Sequence, residues 1–277
     1  MNRVKALLAR VREHDLTLVS AGVAFYAFVA FIPALIIVVA VYGRIAEPSD
    51  IKRQVHEFAS ALPNAVERFI TSQISAVSGA GSGGVSITVI VALLIALWSA
   101  SGAMAALLRG IRVALGQDEP EGFAKKRLAA VVLTVLAVAL LCLIVFLVAA
   151  VPSVIADAGM GTAGRVAVNV LRWPLLLLLM VLSLGVLYRR AGSRPRVRWM
   201  AVITPGALVG AVAWLLASGG FAIYTANFAR YSKTYGTLAS IVVVLLWLYV
   251  AALAVLIGAE VDGLEQGNTA TSKRVTA

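Results

Sequence analysis

An all-α, polytopic membrane protein with six transmembrane helices is the fold class this sequence predicts, and three observations predict it. Six stretches hold no Asp, Glu, Lys or Arg: Leu16–Gly43, Phe69–Leu108, Leu128–Ala156, Trp173–Tyr188, Trp199–Ala229 and Thr234–Ala259. Crossing a hydrocarbon core about 30 Å thick takes roughly 20 helical residues. Five stretches meet that length. The fourth reaches it when extended back to about Val166, with Arg172 near one end and able to snorkel. Composition points the same way: 61% of residues are hydrophobic, 13% are charged, and mean hydropathy is +0.95. The stretches are also continuously apolar, without the period-two alternation of a spanning β-strand.

The elements follow in order. Residues 1–15 carry Arg3, Lys5, Arg10 and Arg12 opposite Val4, Leu7, Leu8 and Val11, which predicts a short amphipathic helix on an anionic, cytoplasmic membrane surface. The apolar stretch behind it is too long for a signal-peptide core and reads as an uncleaved first span. The membrane domain occupies 16–263, with spans at about 16–43, 84–108, 128–151, 166–188, 200–227 and 236–259. Between the first two lies an external amphipathic segment, 44–83, with apolar faces on either side of Pro63 and a flexible glycine-serine joint after Ser78. The tail 264–277 is expected to lack structure.

Lys and Arg fix the orientation. They are about twice as frequent on the N-terminal tail, the Arg109–Arg127 and Arg189–Arg198 loops and the C-terminal tail as on the other segments. Both termini are therefore expected in the cytoplasm. The net charge of +11 is explained by loops facing lipid headgroups, with no nucleic-acid footprint. The lone Cys142 cannot form an intramolecular disulfide.

Polar residues inside an apolar chain mark the candidate sites. Tyr224, Tyr231 and Tyr235 suit the outer interface, where ring and hydroxyl are both accommodated, and Lys233 lies among them. They read as an interfacial anchor or as a site for an anionic headgroup, with Asn227 donating hydrogen bonds. Tyr26, Ser99, Ser101 and Tyr249 are the candidate lining of a solvated cavity. Glu260 closes the last span beside Arg109 and Arg112, and a structural Glu260–Arg109 or Glu260–Arg112 pair is expected. Ser99, Ser101 and Gly102, like Gly206 and Gly210, suit tight helix crossings. Pro33 and Pro205 are expected to bend their helices.

Several segments resemble the YihY/BrkB family of bacterial inner-membrane proteins, once taken for ribonuclease BN. The resemblance is carried by Gly22-Val23-Ala24-Phe25-Tyr26 through Pro33, Leu97-Trp98-Ser99-Ala100-Ser101, the Pro205-to-Gly236 pattern, and Leu246-Trp247-Leu248-Tyr249 leading to Gly258-Ala259-Glu260. It covers about residues 10–265 and implies a multi-pass inner-membrane protein treated as a transporter, with links to envelope lipids. The family often has Ser in place of Ala30, and Asn in place of Arg112 and Asp262.

Hydrolysis of RNA by metals needs clustered His, Asp or Glu ligands. The two histidines, His14 and His56, fall on opposite predicted sides, so no catalytic residue, metal site or cofactor is assigned. An amphiphile whose tail stays in lipid needs only a polar groove and an apolar flank, and movement of a lipid or other amphiphile is the leading expectation. An ion-coupled transporter using edge carboxylates (Glu260, Asp262, Asp157) and a non-transporting envelope scaffold are the alternatives. Membrane lipids, envelope proteins or further copies of the chain are the expected partners.

Overall fold

In the computed structural model the described residues are 3–42, 87–117, 122–145, 162–192, 202–228 and 232–275. They form the helices α1 (Arg3–Glu13), α2 (Leu16–Tyr42), α3 (Ile87–Ala114), α4 (Phe123–Val145), α5 (Thr162–Ala191), α6 (Pro205–Phe228) and α7 (Ser232–Val275). No strand occurs among the described residues.

Five of these helices contain a stretch long and apolar enough to cross a bilayer: Leu94–Ala114, Phe123–Ile144, Trp173–Ala191, Pro205–Tyr224 and Ile241–Glu265. Leu16–Ala30 is a shorter apolar stretch within α2. Large apolar side chains on these helices face outward. Ile95, Leu216 and Ile223 are 65, 72 and 69% exposed. Burying such side chains is worth about 1.5–3 kcal/mol each in water, whereas in lipid their exposure costs nothing.

Buried side chains gather at one end of the bundle. Leu16 opens α2, while Leu108 and Ile111 lie near the end of α3. Leu184 and Tyr188 lie near the end of α5, Ala207 and Ala211 at the start of α6, and Leu256 and Ala259 in the second half of α7. Helices that alternate in direction bring these positions together. Helix α7 packs most extensively on α6 and also on α2, α3 and α1, and α3 touches α2, α4 and α5. The N-terminal helix, the end of α3, the end of α5 and the segment around Glu260 therefore share one end.

Three expectations change. Pro205 bends nothing: it is the first residue of α6, where its missing N–H is no loss. Thr204 caps that helix, its hydroxyl accepting from the Ala207 N–H at 3.0 Å. Pro33 lies within α2, and the internal proline of α5 is Pro174. Helix α7 continues to Val275 through the expected unstructured tail, because extending an existing helix costs far less than starting one. Helix α1 forms as predicted but turns Leu7, Arg10, Val11 and His14 toward α2 and α7, leaving Val4 and Leu8 exposed. The segment 44–83 lies outside the described residues.

Candidate functional site

Two charged clusters occupy the buried end, and they are built differently. The first sits on α7. Glu260 is fully buried, ion-paired to Arg10, with Nδ1 of His14 2.9 Å from its other oxygen. Sequence separation hides this pairing. It arises because α1 folds back on α2 through a turn at His14-Asp15, where Asp15 takes φ +45°. Asp tolerates that left-handed conformation better than most residues. The expected Glu260–Arg109 or Glu260–Arg112 pair is thus replaced by Arg10 and His14. The Arg112 Nε instead donates to the Ala191 carbonyl at 3.3 Å.

The end of α3 closes over the same place. The Gln117 N–H donates to Arg112 O at 3.0 Å and the Gly116 N–H to Val113 O at 2.9 Å, a doubly bonded helix stop. It needs a positive φ at Gly116 (+64°), and a Cβ there would meet the Arg10 guanidinium at 3.3 Å.

Two residues further along α7, Asp262 accepts from the Thr204 hydroxyl at 2.6 Å and from the Gly206 N–H at 2.8 Å. A carboxylate from α7 thereby completes the N-terminus of α6, where the helix dipole favours negative charge. The two backbones are nearly in contact here. A Cβ on Gly206 would lie 2.2 Å from the Gly258 carbonyl oxygen, and one on Gly258 2.5 Å from the Tyr188 hydroxyl. That hydroxyl donates to Val255 O at 2.6 Å. The sequence marked Gly206 for a tight crossing and Asp262 only as an edge carboxylate of an ion-coupled alternative, and gave no role to Thr204 or Tyr188.

The second cluster lines a cavity of about 250 Å³ between α2, α3 and α4. Tyr26, Gly102, Arg109, Arg112, Lys126 and Arg127 are among its described walls. Arg127 is held in place: its guanidinium lies 3.9 Å over the Trp98 ring, and Nη2 donates to Trp98 O at 2.7 Å. Its Nε is buried without a hydrogen-bond partner among the described residues. Gly102 serves space and not packing, since a Cβ there would meet nothing within 4 Å. A second hollow of about 280 Å³ lies between α3, α4 and α5 and is almost wholly apolar, with Met104, Leu133, Ala137, Leu140, Leu179 and Leu187 among its walls.

The predicted lining is only partly assembled. Tyr26 joins Arg109 and Arg112 at the cavity. Ser101 is fully buried and donates to Trp98 O at 2.7 Å, and neither it nor Ser99 lines the cavity. Tyr224 stands 43% exposed beside Phe221, and Tyr249 is half-buried on α7. Asn227, Lys233 and Tyr235 fall on the backbones of α6 and α7, but their side chains, like all of Tyr231, lie outside the described residues. Lys126, Arg127 and Trp98 were not singled out as binding residues. The Lys125-Lys126-Arg127 run was legible only as a marker of membrane side.

These helices and their basic end define an integral membrane protein with several apolar helices. The sequence profile of the family described as Virulence factor BrkB matches residues 7–276, and the chain belongs to that family. It is 25% identical over 273 residues to the ribonuclease-like protein YfkH of Bacillus subtilis (strain 168), covering 95% of each chain. Over 55 residues it is 53% identical to a UPF0761 membrane protein of Aeromonas salmonicida (strain A449), covering 20% of this chain and 19% of that one. A UPF0761 membrane protein of Tolumonas auensis is 42% identical over 64 residues, 23% of this chain and 21% of the other. No solved structure matches the chain.

Proposed function

We propose that this BrkB-family protein crosses the bacterial inner membrane six times, keeps both termini in the cytoplasm, and moves a lipid or other amphiphile across or within the bilayer. The carrying observation is the pairing of a cation-walled cavity with an apolar hollow on the same two helices, α3 and α4. A headgroup needs the first and an acyl chain the second. Basic pockets at the cytoplasmic side of helix bundles are suited to anionic headgroups.

The length of α2 supports a sixth span: 27 helical residues extend about 40 Å, more than the hydrocarbon thickness. Ion coupling through the edge carboxylates is the weaker reading, because Glu260 and Asp262 are both committed to structural contacts. We read the protein as a mover of molecules and not as an enzyme. The ribonuclease-like name belongs to the Bacillus relative.

The test is reconstitution. Full-length protein in liposomes accelerates translocation of headgroup-labelled lipids, and replacing Arg109 and Lys126 together by Ala removes most of the acceleration. A rate no higher than in protein-free liposomes overturns the reading.

A further inference from the structure

We propose that α1 is a two-sided helix whose inner side is clamped by Glu260 and whose outer side, through Val4, Lys5, Leu8 and Arg12, binds an anionic bilayer surface. The inference depends on the chain lying in a bilayer and not on transport.

The side chains of α1 fall into two groups. Successive residues of a helix turn by about 100°. Val4, Leu8 and Arg12 therefore follow one another down a single side, with Lys5 beside them. Leu7, Arg10, Val11 and His14, spaced by three and four, follow another. The sequence pattern put Val4, Leu7, Leu8 and Val11 together on one apolar side, and packing divides that set. Leu7 and Val11 are half-buried beside Arg10 and His14, which hold the fully buried Glu260 of α7. The Arg10 guanidinium is seated between the ends of two helices. A Cβ on Gly116 would lie 3.3 Å from its Nη2, and one on Gly263 3.2 Å. The inner side is thus fixed, and it decides which side is left facing out.

That outer side presents Val4 and Leu8, 66 and 56% exposed, with the exposed Lys5 and Arg12. Its surroundings name the occupant. Helix α1 passes into α2 through the turn at His14-Asp15, and the exposed apolar surface continues there with Leu18, Phe25 and Tyr26. The 11 residues of α1 extend only about 16 Å, too short to cross a bilayer, so the helix reaches the interface without spanning it.

Composition agrees. An apolar pair flanked by cations suits the headgroup layer, where Val and Leu enter the acyl boundary while Lys and Arg stems reach up to phosphates. Glu13 is exposed too, but nine residues on from Val4 it lies on the opposite side of the helix, and Asp15 belongs to the turn. Two apolar side chains fall far short of the roughly 800 Å² per partner that a standard protein interface buries. A lipid surface asks for no such area.

The experiment uses full-length protein with Cys142→Ser as background and an environment-sensitive fluorophore on Leu8→Cys or Glu13→Cys. The protein is placed in phosphatidylcholine vesicles with or without phosphatidylglycerol, and nitroxide-bearing lipids report depth. In anionic vesicles the label at position 8 should emit further to the blue. It should be quenched more by a nitroxide near the headgroup than by one at the chain terminus, while position 13 is quenched little by either. Neutral vesicles should weaken the quenching at position 8. Lys5→Gln and Arg12→Gln together should weaken it as much in anionic ones.

The clamp is tested separately. Arg10→Gln and Glu260→Gln should each narrow the difference between positions 8 and 13, since nothing then fixes which side faces out. Using both variants covers the case in which one fails to fold. Equal quenching at positions 8 and 13 with the clamp intact, or quenching at position 8 that ignores lipid charge, overturns the proposal. So does a difference left unchanged by both clamp variants. A disulfide between two copies of unlabelled Leu8→Cys, without quenching of the label, identifies a second copy as the occupant and overturns it as well. None of these readings involves translocation, so failure of the transport reading leaves them intact.

Discussion

The α6–α7 crossing and the α2–α3–α4 cavity lie at the same end of the bundle and use similar residue types, yet they put them to opposite ends. At the crossing, Gly206 and Gly258 let two backbones approach until no Cβ fits, and both carboxylates have found donors. At the cavity, Gly102 faces open space, and Arg109, Arg112, Lys126 and Arg127 are among the described walls. Glycine thus serves closure in one place and vacancy in the other. The difference teaches that the residue type does not identify a site: what matters is whether neighbouring helices fill the space.

Substitutions can break this contrast, and the largest effect belongs to the crossing. Gly258→Ala places a methyl 2.6 Å from the Gly206 carbonyl oxygen and 2.5 Å from the Tyr188 hydroxyl. Backbone has to move, and we expect a loss of about 3 kcal/mol, read as a lowered thermal midpoint in detergent. A midpoint equal to wild type would show that the helices are not so close.

Glu260→Ala comes next. It strands Arg10 and His14 without their acid and should cost about 3 kcal/mol, discounted somewhat because both partners keep some solvent exposure. Loss of α1 docking, read as faster proteolysis within the first fifteen residues, is the accompanying sign. Asp262→Asn is a milder probe. Its side-chain oxygen can still accept from Gly206 N–H, so the effect should stay near 1 kcal/mol, while Asp262→Ala loses that bond and the Thr204 bond together. Tyr188→Phe removes a single hydrogen bond to Val255 O, again about 1 kcal/mol.

The smallest expected change sharpens the contrast from the other side. Gly102→Ala adds a methyl where nothing lies within 4 Å, in the middle of a helix. It should leave stability unchanged or raise it by up to about 1 kcal/mol, opposite in sign to Gly258→Ala. Melting the two variants side by side under one condition checks the comparison directly.

Much of the fold was legible because membrane insertion depends on local properties. A charge-free stretch of sufficient length declares itself without reference to the rest of the chain, and five long apolar helices match the stretches that predicted them. Helix ends were legible less well. Pro205 read as a bend when it is a start, because its meaning depends on Thr204 and on Asp262, a carboxylate 58 residues away from Thr204.

Site residues divide along the same line. Tyr26, Arg109 and Arg112 were flagged for their chemistry and do meet at one cavity, but they were flagged for different reasons and with a different partner in mind. Nothing local told that Glu260 would choose Arg10, 250 residues earlier, or that Arg127 would lie over Trp98. Each of these choices depends on how α1 turns back at Asp15 and how α3 meets α4.

By itself, the order of residues determined that this chain is a membrane protein with several apolar helices, since hydrophobic length acts on each segment separately. Only the packed bundle decided which acids are neutralised, which glycines close a gap and which leave one. Those outcomes require atoms from distant helices to occupy, or to leave empty, the same few ångströms.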